Sequence, residues 1–139
     1  MFFKFFKINL LILFFSTICF AEVIEKIEVK GNDRVSKATI KVLGNFDIGQ
    51  DLDNTDLNKI LKDLYSTDFF IYISVSFDNN ILLITIVENP IIQSIFINGI
   101  KKKNIKEELF KILSVKEKNS YVQYKVENDR QTIMNALKA

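Results

Sequence analysis

Histidine and tryptophan are absent from the 139 residues, cysteine occurs once, at Cys19, and proline once, at Pro90. Without an imidazole there is no histidine-based acid–base or triad chemistry, and the ordinary histidine and cysteine ligand sets for zinc cannot be assembled. A single cysteine cannot close an intrachain disulfide. No pairing of a nucleophile with a base stands out, so the sequence reads as non-enzymatic and without a cofactor. The acidic residues Asp47, Asp51, Asp53 and Asp56 invite comparison with a calcium loop. Counted from Asp51, however, the glycine position holds Asp56 and the final glutamate position holds Lys62, so helix capping accounts for them better.

What is present begins with an export signal. Lys4 and Lys7 precede an apolar run from Ile8 to Phe20, and Cys19 and Ala21 place small residues at the two cleavage-determining positions. The run is too short for the ~20 residues a spanning helix needs, so residues 1–21 are expected to be a signal peptide cut between Ala21 and Glu22. Lipidation at Cys19 is disfavoured by bulky Ile18. Removing Lys4 and Lys7 from 19 basic residues leaves 17 against 17 acidic ones. The exported chain is then neutral and gives no reason to expect a nucleic-acid partner. Lys101-Lys102-Lys103 reads as a solvated turn.

The remaining sequence repeats itself. Ile24-Glu25-Lys26-Ile27-Glu28-Val29-Lys30-Gly31 matches Ile92-Gln93-Ser94-Ile95-Phe96-Ile97-Asn98-Gly99 at an offset of 68. Ile60, Leu61 and Leu64 then match Ile133, Met134 and Leu137 at 73. A period of this length implies two copies of one small domain, residues 22–89 and 90–139. In the first copy, Val23, Ile27 and Val29 alternate with charged residues as a half-buried strand does. Ser36 is placed to cap a short helix with Ala38, Ile40 and Leu43 inward, ending at Gly44-Asn45. Leu57, Ile60, Leu61 and Leu64 form the stripe of a second helix, capped from Asp53, Asn54 or Thr55.

Two strands follow. Phe69 to Phe77 alternates so that Phe69, Ile71, Ile73, Val75 and Phe77 are expected inward and Phe70, Tyr72, Ser74 and Ser76 outward. After turn-forming Asp78-Asn79-Asn80, the almost wholly apolar Ile81 to Val87 reads as a central strand. The order strand-helix-helix-strand-strand implies an α+β fold, a three-stranded sheet with two helices on one face. Glu88-Asn89-Pro90 makes a short junction. The second copy supplies a strand from Ile91 to Ile97, a helix from about Ile105 opened by Asn104 and Glu107, and a helix near Val126 to Leu137. It lacks its last two strands, so the chain is expected to be part of a longer protein.

The run Ile27-x-Val29-x-Gly31-Asn32-x-Arg34, then Thr39-Ile40, Leu57-x-x-x-Leu61-x-x-Leu64-Tyr65-x-Thr67-x-x-Phe70, Val75 and Leu82-x-Ile84-x-Ile86-x-Glu88-Asn89-Pro90-x-Ile92 resembles the first polypeptide-transport-associated (POTRA) domain of BamA-type outer-membrane assembly factors running into the second. One departure is Asp68, where that family usually has glycine. The resemblance implies a periplasmic region ahead of an outer-membrane barrel absent here. It further implies partners: unfolded outer-membrane proteins, the periplasmic chaperones that deliver them, and accessory outer-membrane lipoproteins. It also implies that Phe69 to Phe77 (Phe69, Phe70, Ile71, Tyr72, Ile73, Ser74, Val75, Ser76, Phe77) is an edge strand able to accept another chain by β-augmentation. A proline at Ser74 would then obstruct pairing, provided the Ser74 N–H points away from the neighbouring strand. Two other readings use the same domain: a two-partner-secretion transporter, and a cell-division scaffold behind an uncleaved anchor. The cleavable signal disfavours the scaffold, and the immediate direct repeat disfavours the transporter.

Overall fold

The computed structural model describes residues 22–138, so the expected signal segment and the expected cut after Ala21 lie outside the described residues. The elements in chain order are β1 (Lys26–Lys30), α1 (Lys37–Gly44), α2 (Asn54–Tyr65), β2 (Phe70–Asp78), β3 (Ile81–Glu88), α3 (Lys103–Ile112) and α4 (Gln123–Ala136). None of these helices is long and apolar enough to cross a membrane.

The five elements up to Glu88 share one core. β3 lies in the middle of the sheet, parallel to β1 and antiparallel to β2. Its Leu82, Ile84 and Ile86 are buried with Ile27 and Ile73 from the flanking strands and Ile40, Ile60 and Leu64 from the helices. The apolar reading of β3 as the central strand therefore holds, because it alone has a neighbour on both sides.

Local chemistry sets the helix ends. The Ser36 hydroxyl accepts from Thr39 N at 3.1 Å and starts α1, while Asn45, in the left-handed region at φ 52°, stops it. Asp53 and Asp56 form a reciprocal capping box at α2, with Asp53 Oδ1 accepting from Asp56 N at 2.8 Å and Asp56 Oδ2 from Asp53 N at 3.1 Å. Three core residues carry no periodic signal: Ile24, Phe46 and Leu52 are buried from the segments before and between the helices. Ala38, expected inward, is exposed, because α1 turns only Ile40 and Gly44 fully toward the core.

Beyond Pro90 the expected strand Ile91 to Ile97 is not formed. A strand needs a ladder partner, and the counterpart of β3 is missing among the described residues. The segment is held instead by Ile92 N donating to Asn119 O at 2.9 Å, Lys118 N donating to Ile92 O at 2.8 Å and Ile95 N donating to the Glu117 carboxylate at 3.0 Å. α3 begins at Lys103 behind Lys102, which makes no side-chain cap, so Asn104 lies within the helix and the expected Asn104/Glu107 capping box is absent there. α3 and α4 close over Leu109 and Leu113, and the buried Asp129 carboxylate accepts from Ser114 N and Val115 N, both at 2.9 Å. Burial raises the Asp129 pKa, but the two backbone donors outweigh it and the net shift is downward.

The two halves are tied at Asp68. This residue sits at φ 61°, in the region glycine occupies most easily, and its carboxylate pairs with Lys125 at the start of α4. Asp68→Gly should relieve ~1 kcal/mol of backbone strain while deleting the tie. The expected result is an unchanged or raised melting temperature for the five-element unit together with independent tumbling of the two halves in 15N relaxation. Continued joint tumbling would show that the Lys125 pair does not hold the halves together.

Candidate functional site

The sheet order leaves β1 and β2 as its two edges. Which backbone groups each edge presents follows from the register. Asn79 and Asn80, at φ 48° and 63°, form a two-residue hairpin loop, and the pair flanking such a loop, Asp78 and Ile81, exchanges hydrogen bonds. Alternation then makes Ser76/Leu83 and Ser74/Thr85 bonded pairs, so Ile73, Val75 and Phe77 direct their N–H and C=O groups away from β3. Two contacts support this assignment independently. Ile73 N donates outward to the Tyr65 hydroxyl at 3.1 Å, and Asn80 O, on the opposite side of β3, accepts from Glu25 N at 2.9 Å.

This corrects the choice of Ser74 for a blocking proline. Its side chain is exposed, but its N–H belongs to the ladder with Thr85, so proline there would damage the sheet rather than the edge.

The face assignment of β2 is also corrected in its first half. Phe70 pairs with Glu88 and Tyr72 with Val87, so Ile71 is an inserted bulge residue. One extra residue reverses the alternation upstream of it. Phe70 is therefore buried at 3%, whereas Phe69 and Ile71 are exposed at 40% and 64%. Downstream the expected phase holds, with Ile73, Val75 and Phe77 toward the helices and Tyr72, Ser74 and Ser76 away from them. Ile71 joins Tyr65, Tyr121 and Tyr124 around a cleft of about 300 Å³ between β2 and the start of α4.

Gly31-Asn32-x-Arg34 and Glu88-Asn89-Pro90, far apart in sequence, turn out to be two halves of one lock. The Glu88 carboxylate accepts from Arg34 N at 2.9 Å, Val35 N at 2.8 Å and the Arg34 guanidinium at 2.8 Å. Arg34 also donates to the Asn89 carbonyl, and the Asn89 side chain donates to Asp68 O at 2.8 Å. Asn32 Nδ2 donates to Val35 O at 3.2 Å, closing the turn. Burial raises the Glu88 pKa, yet the Val35 and Arg34 backbone donors and the guanidinium together hold it below its ordinary 4.5. This lock fixes the end of β3 and the start of the junction. It is a structural element and leaves the β2 edge free.

A strand-helix-helix-strand-strand unit with this sheet order defines the POTRA fold, and solved structures agree. The N-terminal domain of Omp85 from the thermophilic cyanobacterium Thermosynechococcus elongatus superposes with a TM-score of 0.55 at 11% identity, over 84% of this chain and 51% of that one. POTRA1-3 of the periplasmic domain of Omp85 from Anabaena gives 0.50 at 11% identity with the same shares. At the level of sequence, the chain is 33% identical over 90 residues to outer membrane protein assembly factor BamA of Neorickettsia risticii (strain Illinois). The chain therefore has the POTRA fold and is similar in sequence to a BamA-type assembly factor. The match covers 65% of this chain and spans 12% of that relative's length. No family model matches the chain.

Proposed function

We propose that this chain is the periplasmic POTRA region of an outer-membrane β-barrel assembly factor. Residues 22–89 form one complete unit and residues 90–139 carry the opening elements of a second. The β2 edge receives unfolded outer-membrane protein segments as an added strand. Accessory lipoproteins dock on the same region, and the barrel that would follow completes insertion. The observation that carries the reading is the backbone of Val75 and Phe77, unpaired among the described residues, on an edge strand whose far face, at Ser74 and Ser76, is polar enough to stay soluble until a strand arrives. Backbone-directed capture ignores side-chain identity, which suits a receptor with many clients.

The test is a proline at an outward-directed N–H. Val75→Pro removes a donor at the edge, while Val75→Ala removes similar packing and keeps it. A fluorescent peptide of alternating apolar and polar residues, the pattern of a barrel strand, should bind Val75→Pro about tenfold more weakly than Val75→Ala by anisotropy, since each net backbone hydrogen bond contributes ~1 kcal/mol and the ring adds obstruction. Equal affinities in two folded variants would remove the β2 edge as the capture site.

A further inference from the structure

The two sheet edges are not equally open, and each carries a side chain over one of its outward-directed groups. On β1 the Lys37 ammonium donates to the Ile27 carbonyl, and Lys26, Glu28 and Lys30 charge the strand. On β2 the Tyr65 hydroxyl, from the last residue of α2, accepts from Ile73 N at 3.1 Å and stands 3.5 Å from Ile73 O. One hydroxyl thus occupies both edge groups of Ile73. Two residues further upstream, the Ile71 bulge ends the regular ladder.

Resting on the edge reading proposed above, we infer that Tyr65 is a stop that limits strand addition to the hairpin-proximal part of β2, at Val75 and Phe77. The occupant this edge fits is a short extended segment of an unfolded polypeptide, bonded to two β2 residues. The polar outer-face neighbours of that stretch, Ser74 and Ser76, are small and exposed and exclude no side chain. A segment long enough to continue past Val75 meets the Tyr65 ring and gains nothing from its extra residues. Capture therefore stays short and reversible, because extending it requires displacing a hydroxyl already bonded to Ile73. Tyr65 is 41% exposed, so it can leave the edge without opening the core.

The experiment uses the full chain, backbone amide exchange by NMR, and two synthetic alternating Val/Thr peptides, of four and eight residues. In the free protein, Ile73 should exchange more slowly than Val75 and Phe77, and Tyr65→Phe, which deletes only the hydroxyl, should bring Ile73 to their rate. With peptide, Val75 and Phe77 should become protected and Ile73 should not change, and both lengths should bind with similar affinity. In Tyr65→Leu, which clears the ring, the eight-residue peptide should protect Ile73 as well and bind about 5- to 30-fold more tightly than the four-residue one. Protection at Val75 and Phe77 with a length preference already present in the wild type, or no length preference in Tyr65→Leu, overturns the stop while leaving the edge reading intact. Absence of protection at all three amides overturns the edge reading and the stop with it. Should Tyr65→Leu not fold, the Ile73 exchange rate in Tyr65→Phe decides: no change there refutes the cap.

Discussion

Gly31→Ala should come close to unfolding the five-element unit. Gly31 holds φ at 81°, and a Cβ built there would lie 2.1 Å from the Ile86 carbonyl oxygen of the central strand. That oxygen is backbone of β3 and cannot swing aside, so either the turn after β1 or the sheet must move. The left-handed conformation alone costs a side chain ~1 kcal/mol, and the collision raises the expected loss to about 3–5 kcal/mol. A domain of this size holds only a few kcal/mol in total, so thermal unfolding should shift down by more than about 15 °C or be lost. Gly49 supplies the control within the same unit: it has φ at 85° with open space where its Cβ would be. Gly49→Ala should cost only the conformational part, about 1 kcal/mol. Equal losses at the two glycines would mean that the Gly31 turn relaxes away from Ile86 at no cost.

The second large effect is expected at Glu88, whose side chain is 7% exposed and holds the Arg34 turn against the end of β3. Glu88→Ala strands the N–H groups of Arg34 and Val35, and urea unfolding should register a loss of about 2–4 kcal/mol. Charge removal alone can be read from acid. The Glu88 pKa is lower in the folded state than its ordinary 4.5, so the unfolded chain takes up the proton first as pH falls. Its stabilisation is complete above about pH 4.5 and declines below it, through the folded-state pKa. The stability gap between wild type and Glu88→Gln should therefore narrow on acidification in that window. Other carboxylates, Asp129 among them, titrate in both proteins and cancel in the difference. A gap independent of pH would show that the Glu88 charge contributes nothing and that only its shape matters.

Much of this architecture was legible because it is written in periods. The α2 stripe, the Ser36 and Asp53 caps, the Asn79-Asn80 turn and the apolar β3 each follow from a local rule, and each local rule points to the same sheet-and-helix layer. The candidate edge was half legible. That Phe69 to Phe77 is a strand follows from alternation, but a bulge adds a residue without changing composition, so the phase error at Phe69, Phe70 and Ile71 had no sequence signal. The direction of the Ser74 N–H was equally hidden, since it depends on the distance from the hairpin loop and not on the side chain. Ile24, Phe46 and Leu52 reach the core from irregular segments, where no period exists to read. Ile91 to Ile97 failed for the opposite reason: its pattern is that of a strand, but a strand is a relation between two segments, and its partner is not among the described residues. The meeting of Arg34 with Glu88 was present in the motifs as two separate signals, and only the parallel placement of β1 beside β3 joins them.

That parallel placement has a kinetic side. Lys26 pairs with Ile81, 55 positions further along the chain, whereas β2 and β3 are joined by a two-residue loop. The hairpin can close locally within microseconds, but β1 must wait for a long loop to be brought together. A polypeptide delivered N-terminus first therefore presents β1 as an orphan strand until everything through β3 has arrived. During that interval its alternating Lys26, Glu28 and Lys30 are what keep it from pairing with a stranger. The slowest step in forming this unit should be the return of its first strand.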